Sequence, residues 1–302
     1  MKKHFLLLPL VSSILFSCKS QSDYNYPIPF NLNEANLKLI LDDELNEISG
    51  ISLTEDGKQI IGVADEKGIL YFLDASTGEI LKRLEFHKDG DYEDVELVGN
   101  DLYVLKSSGT LYQVKDIMST ESGAFEKFNT ALEISNDVEG LCYDKKKGQL
   151  LLACKASPKL DEPITLKEQD RAVYSFDLIT GTLNESNPVI ISRKAFQEFV
   201  LANPELPKAS KWKTRFRDEA ENFAFEPSAI AIQESTGNYY VLSSVGKMLA
   251  VFTPEWKLHT LIKLDKSKFV QPEGICFDQS ENLYICNEGK TGNAIIYKFE
   301  RK

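Results

Sequence analysis

A short motif recurs five times along this chain, as NEISGISL (residues 46–53), EDVELVGN (93–100), NDVEGLCYD (136–144), EPSAIAIQ (226–233) and QPEGICFD (271–278). Each copy opens on acidic or polar residues, passes a small residue and continues with alternating apolar positions, the period-2 signature of a strand. A second strand-like run follows every copy (QIIGVAD, DLYVLKS, QLLLACK, NYYVLSS, NLYICNE), then a third (GILYFLD, GTLYQVK, AVYSFDL, KMLAVFT, AIIYKFE). Most units add a fourth, more polar run such as EILKRLEF or WKLHTLIKL. Four up-and-down strands repeated every 45 residues or so are the blades of an all-β propeller, and a repeat of that period dictates the architecture.

One interval, between residues 137 and 226, is about twice the others, and a sixth blade is one way to fill it. KAFQEFVLAN (194–203) has helical spacing of apolar residues, however, and KASKWKTRFRDEAEN (208–222) is too charged for buried strands. The expectation is a five-bladed β-propeller with a partly helical insertion at about 191–224, and a six-bladed ring as the alternative. The last unit ends with AIIYKFERK and lacks a fourth strand, whereas LKLILDD (37–43) precedes the first unit. That N-terminal strand is expected to complete the last blade, which removes the open sheet edges.

The chain begins MKKHFLLLPLVSSILFSC, with two lysines, an apolar stretch and a cysteine at Cys18. The apolar stretch is shorter than the 20 or so residues of a membrane-spanning helix and reads as an export signal. Its end resembles the lipobox of bacterial lipoproteins, with Leu15 three residues before Cys18 and Ser17 just before it; Phe16 departs from the usual small residue. An ordinary signal peptide with an incidental Cys18 is the alternative. The resulting division is a signal over 1–17, a mobile polar tether over 18–35 and a propeller over 36–302. It implies a lipid bilayer partner and a cell-envelope location, in the outer membrane, facing the periplasm or the cell surface.

The net charge of −11 and the lack of any basic stripe with interleaved aromatics exclude nucleic acid as a partner. The run KKKG (145–148) reads as a hairpin turn, and GKTGN (289–293) lacks phosphate-loop spacing. Cys142 and Cys276 fall in first strands, Cys154 and Cys286 in second strands; cross-strand disulfides and buried thiols are both open.

The first strand of each blade lines the central channel, and residues two apart share a face. Aligned, the repeats give one tier of Glu47, Asp94, Asp137, Glu226 and Gln271 and a second of Ser49, Glu96, Glu139, Ser228 and Glu273. Seven of these ten are carboxylates, a crowding that raises their pKa values unless a cation relieves it. An all-oxygen donor set suits calcium. None of His4, His87 and His259 holds an equivalent position, which argues against a histidine-rich zinc or iron site. The alternative is a solvated rim of acids that ends the inner strands. Asp65, Glu66, Asn287 and Glu288, at the ends of second strands, read as turn residues.

The segments NEISGIS, NDVEGL, FEPSAIAI and QPEGICFD, over about residues 36–300, resemble the SdiA-regulated family of bacterial propellers and, more distantly, NHL-repeat proteins. The resemblance implies a five-bladed ring, secreted or lipid-anchored, with a calcium site formed by Glu47, Asp137, Glu139, Glu226 and Glu273, and no characterised activity. Asp94 and Glu96 are further candidates whose register is open by one residue, because EDVEL has Leu97 where the other copies have Gly or Ala; Glu93 can replace either.

Three functions remain open at this stage. The first is a calcium-containing binding propeller for an unidentified small molecule or protein. The second is a metal-dependent hydrolase of a phosphate ester, lactone or sugar, with Glu139 or Glu273 as general base. The third is an interaction platform built on residues 195–203 and Trp212.

Overall fold

A computed structural model describes residues 28–160, 170–217, 220, 223–290 and 292–302. The expected export signal, Cys18 and the tether up to residue 27 lie outside the described residues. After β1 (Leu37–Ile40) the strands fall into consecutive sets. Blade 1 holds β2 (Ile48–Leu53), β3 (Gln59–Ala64), β4 (Ile69–Asp74) and β5 (Ile80–Glu85), and blade 2 holds β6 (Tyr92–Val98), β7 (Asp101–Lys106), β8 (Leu111–Val114) and β9 (Glu126–Phe128). Blade 3 holds β10 (Val138–Asp144), β11 (Gln149–Cys154), β12 (Arg171–Asp177) and β13 (Thr182–Ile191). Blade 4 holds β14 (Pro227–Gln233), β15 (Asn238–Ser243), β16 (Met248–Phe252) and β17 (Leu258–Lys263). Blade 5 has β18 (Pro272–Phe277), β19 (Leu283–Asn287) and β20 (Ile295–Phe299), with β1 antiparallel to β20 as its fourth strand.

The described residues thus form five four-stranded sheets, the propeller read from the repeats. Their first strands touch in a closed cycle, β2 to β6, β6 to β10, β10 to β14, β14 to β18 and β18 back to β2. Period-2 alternation explains how the second strands can be apolar throughout: in β3, Ile60 and Ala64 point into the seam with blade 5, while Ile61 and Val63 point into the seam with blade 2. Five hydrophobic clusters fill the five seams. Each large side chain buried there contributes about 1.5–3 kcal/mol relative to exposure, so the ring is held by packing between blades as much as by hydrogen bonds within them.

The long interval between blades 3 and 4 carries the expected helices, α1 (Arg193–Ala202), capped by Ser192 accepting from Ala195 N at 3.2 Å, and α2 (Ala209–Arg215). Phe196 and Val200 of α1 and Trp212 of α2 are buried in the seam between blades 3 and 4, Phe196 lying edge-on to Phe216 and Phe223. Of the candidate platform residues Phe196, Phe199, Val200 and Leu201, Leu201 alone is exposed, at 63%. The apolar face is therefore used by the core.

The last part of the expected tether is corrected. Ile28, Phe30 and Leu32 are buried between blades 4 and 5, Phe30 packing against the rings of Tyr240 and Phe277. Lys302 N donates to Pro29 O at 2.9 Å and ties this segment to the C-terminus. The packed unit begins at residue 28 because these three apolar side chains, two apart, cover a seam. Cys142, Cys154, Cys276 and Cys286 are all buried free thiols; Cys142 pairs with Leu151 and Cys276 with Tyr284 across their hairpins, so no cysteines stand opposed. No helix among the described residues is long and apolar enough to cross a membrane.

Candidate functional site

Every first strand breaks register with its neighbour near its start, between Ile48 and Gly50, Tyr92 and Asp94, Val138 and Gly140, Pro227 and Ala229, and Pro272 and Gly274. The extra residues at these bulges are Ser49, Glu93, Glu139, Ser228 and Glu273, and a bulge re-aims the side chain it carries. Four of the five, all but Ser228, line a cavity of about 270 Å³ at the channel mouth, together with Asp65, Asp91, Asp137, Lys155, Gln271 and Glu288. A second repeated contact fixes the tier above: Asp65 N donates to Glu47 O, Ser107 N to Asp91 O, Lys155 N to Asp137 O and Glu288 N to Gln271 O, at 2.7–3.2 Å.

These equivalences correct the sequence register in blade 2, where Asp91 and Glu93 hold the positions first given to Asp94 and Glu96. Asp94 stands where the other blades have Gly50, Gly140, Ala229 and Gly274. It is buried between blades, its oxygens accepting from Val95 N at 2.9 Å and Leu141 N at 2.8 Å. Glu96 accepts from Tyr143 N at 3.0 Å and from Ser52 Oγ at 3.5 Å. Both acids bind the backbone of blade 3 and are absent from the cavity lining.

Of the five expected ligands, Asp137, Glu139 and Glu273 meet in the cavity. Glu47 is exposed and Glu226 is held by Arg171 at 3.5 Å, and neither lines it. Asp65, Asp91, Glu93 and Glu288 join instead, so Asp65 and Glu288 are more than turn residues. Carboxylate oxygens of Glu93, Asp137 and Glu139 lie within 4.8 Å of one another, as do those of Asp65, Asp91 and Glu93. Asp137 takes the left-handed conformation at φ 49°, which Asp tolerates better than most residues and which is a form of strain seen at functional sites.

Lys155, the single cation of the cavity lining, bonds Glu139 Oε1 and lies 3.8 Å from Asp137. Glu139, 6% exposed, keeps its second oxygen, Oε2, buried without a hydrogen-bond partner. One ammonium cannot neutralise so many acids. Burial and the charges of Glu139 and Asp91 push Glu93 up to about 10. Burial, a hydrogen bond with Asp91 and the charges of Asp91, Glu47 and Glu288 push Asp65 to about 7. Burial and Glu288 push Glu273 to about 7, and burial raises Glu139 despite Lys155. Lys155 itself is raised, because Glu139 and Asp137 outweigh its own burial.

These shifts have a sign. An unfolded carboxylate titrates near pH 4, so between about pH 4 and 7 the folded protein holds protons on Asp65 and Glu273 that the unfolded chain has released. Stability is fully present below that window and falls as pH rises through it. Without divalent cations, the urea midpoint is expected to be lower at pH 8 than at pH 5. A midpoint that is flat or rises over that range contradicts a crowded, under-neutralised ring.

No curated protein matches this chain in sequence. Among solved structures, the glutaminyl cyclase of Myxococcus xanthus is similar, with a TM-score of 0.54 at 11% identity, over 88% of this chain and 95% of that one. A chain of a nidogen/laminin complex (TM-score 0.46, 11% identity, 83% and 75% covered) and virginiamycin B lyase from Staphylococcus aureus (0.43, 10%, 87% and 73%) also match. At such identities the first likeness establishes the propeller fold alone. The sequence model of the SdiA-regulated family matches residues 31–300, from the packed N-terminal segment to the last strand, and the chain belongs to that family.

Proposed function

We propose that this chain is an exported binding propeller, lipid-anchored through Cys18 to the outer membrane on its periplasmic or outer side, with a calcium ion in the acidic channel mouth. The observation that carries the metal is the buried, unpartnered Oε2 of Glu139, a residue whose carboxylate lies within 4.8 Å of those of Glu93 and Asp137. Such an orphaned oxygen costs free energy unless a cation or donor meets it, and an all-oxygen set with flexible spacing suits calcium. Glu93, Asp137 and Glu139, with the neighbouring Asp65 and Asp91, would hold it, and the ion would neutralise charge that Lys155 leaves over. Cys18 after an apolar leader supports the anchor.

Thermal unfolding with calcium and with chelator tests the metal. Calcium at 100-fold its Kd is expected to add about 2.7 kcal/mol, and Glu139→Gln, which keeps the shape and removes the charge, to lose most of that gain. No shift in the unaltered protein removes calcium from the account. The anchor has its own test, since Cys18→Ser should leave the membrane fraction; a variant that stays there rules lipidation out.

One observation favours a second reading. A carboxyl held at about 7, as in Glu273, is matched to general-base work at neutral pH, so a calcium-polarised phosphate ester, lactone or sugar is a fitting substrate class. In that case Glu273→Gln abolishes turnover while part of the calcium-dependent stabilisation survives.

A further inference from the structure

On the face that carries the channel mouth lies a second charged feature, of opposite sign. Lys263, at the end of β17, is half-buried, and its ammonium donates to Gly246 O. Around it stand Lys208 and Arg215 of the insertion, Lys247 of the loop after β15, and Lys266 just beyond β17. In a protein of net charge −11, none of these five cations has a carboxylate at ion-pair distance among the described residues. Asp265, the acid whose field reaches Lys208, has its Oδ1 engaged by Ser267 N at 2.9 Å and Ser267 Oγ at 2.8 Å. Burial and the four like charges hold Lys263 down at about 8.

The cluster borders a cavity. Arg215, with Lys211, Arg217, Ser210 and Thr214, lines an open hollow of about 650 Å³ whose wall includes Ala224. The Ala224 carbonyl lies 2.9 Å from where a Cβ on Gly246 would sit, so a wall residue of the hollow packs against the residue whose carbonyl receives Lys263. A set of exposed lysines is ordinarily a solvated face. Here one ammonium is withdrawn from water and four positive neighbours raise its cost, and among the described residues no carboxylate pairs with it. An anion in the hollow would supply the missing compensation.

We propose that this hollow binds a phosphate group. Arg215 offers the planar fork that recognises two phosphate oxygens, Lys208, Lys211 and Lys263 act as point charges, and the Ser210 hydroxyl supplies a neutral donor. The phosphate comes either from a soluble ester or from the headgroup of an anionic lipid beside an anchored chain. The site is independent of the channel: it needs no calcium, and its failure leaves the acidic ring untouched.

The test is calorimetric titration of the full chain, in chloride buffer with chelator, with inorganic pyrophosphate. In parallel, co-sedimentation is measured with vesicles of phosphatidylglycerol and of phosphatidylcholine, the difference between the two cancelling the pull of the apolar N-terminus. Lys263→Gln and Arg215→Gln are each expected to weaken binding at least tenfold, and Lys298→Gln, which removes a lysine 3.6 Å from Asp278 on another blade, to leave it unchanged. Pyrophosphate binding without lipid preference assigns a soluble phosphate ligand; phosphatidylglycerol preference lost in both variants assigns the headgroup. Binding of neither probe, or binding indifferent to both substitutions, overturns the site.

Discussion

Lys155→Met is expected to lower stability by about 3 kcal/mol in the absence of divalent cations, near the lower end for breaking a buried pair from one side. The low end applies because the Lys155 side chain is 26% exposed and relaxes into water more readily than its partner Glu139. Met keeps the length and apolar stem of Lys, so packing changes little and the loss reports charge. In a domain of this size the melting midpoint should fall by about 6–12 °C. The same substitution opens room beside Glu139 and Asp137. Calcium should therefore stabilise the variant more than the parent, and the pH dependence should steepen, because Glu139 loses the charge that opposes its protonation. Unaltered stability without calcium would show that Lys155 is no counter-ion.

A fixed ammonium in the ring also narrows what the channel can accept. Lys155 takes one oxygen of Glu139 and approaches Asp137, which leaves Glu139 Oε2, Glu93, Asp91 and Asp65 for an incoming cation. The ion, on this reading, sits toward blades 1 to 3, off the fivefold axis. Part of that asymmetry is written in the repeats: blade 4 offers Ser228 where blades 2 and 3 offer Glu93 and Glu139, and blade 5 offers Gln271 where they offer Asp91 and Asp137.

The repeat was legible because each unit obeys period-2 alternation between turn residues, and ring closure was legible because one unit lacked the strand that another segment possessed. The site was legible only in part. In EDVEL, Glu93 holds the ring position, and Asp94, one residue on, imitates a ring carboxylate while binding the backbone of Leu141. Nothing in spacing alone separates those roles; the bulge that moves Glu93 into line is a property of the pairing. Asp65, Lys155 and Glu288 carried a usable signal, since each follows a second strand at the same place, yet a turn explains such residues equally well. Ile28, Phe30 and Leu32 alternate like a strand, a signal outweighed by the prolines and polar residues around them, and the segment reads as a tether until its packing is seen.

Gly50→Ala should be among the most damaging single-methyl additions to this ring. A Cβ at residue 50 would lie 2.3 Å from Asp94 Oδ1, 2.4 Å from Asp94 Cα and 2.8 Å from Val95 N. The latter two are backbone atoms of β6, so no side-chain rotation relieves the clash; β2 and β6 must separate. Separation loosens the seam packed by Val63 and Val95 and strains the bond from Leu141 N to Asp94 that ties blade 2 to blade 3. Overpacking costs about 1–3 kcal/mol where side chains can yield, and backbone against backbone places this change at about 3 kcal/mol or above. Gly62→Ala is the internal control, since its nearest neighbour is Ile48 Cδ1 at 3.4 Å, an ordinary separation. There the gain from replacing a strand glycine, about 0.5–1 kcal/mol, should leave stability equal or slightly higher. Adding Asp94→Gly to Gly50→Ala should give no rescue, because the new methyl still meets the β6 backbone at residues 94 and 95. Urea unfolding of the three variants decides it: a Gly50→Ala midpoint equal to that of Gly62→Ala would mean that the inner strands of blades 1 and 2 stand further apart than this geometry requires.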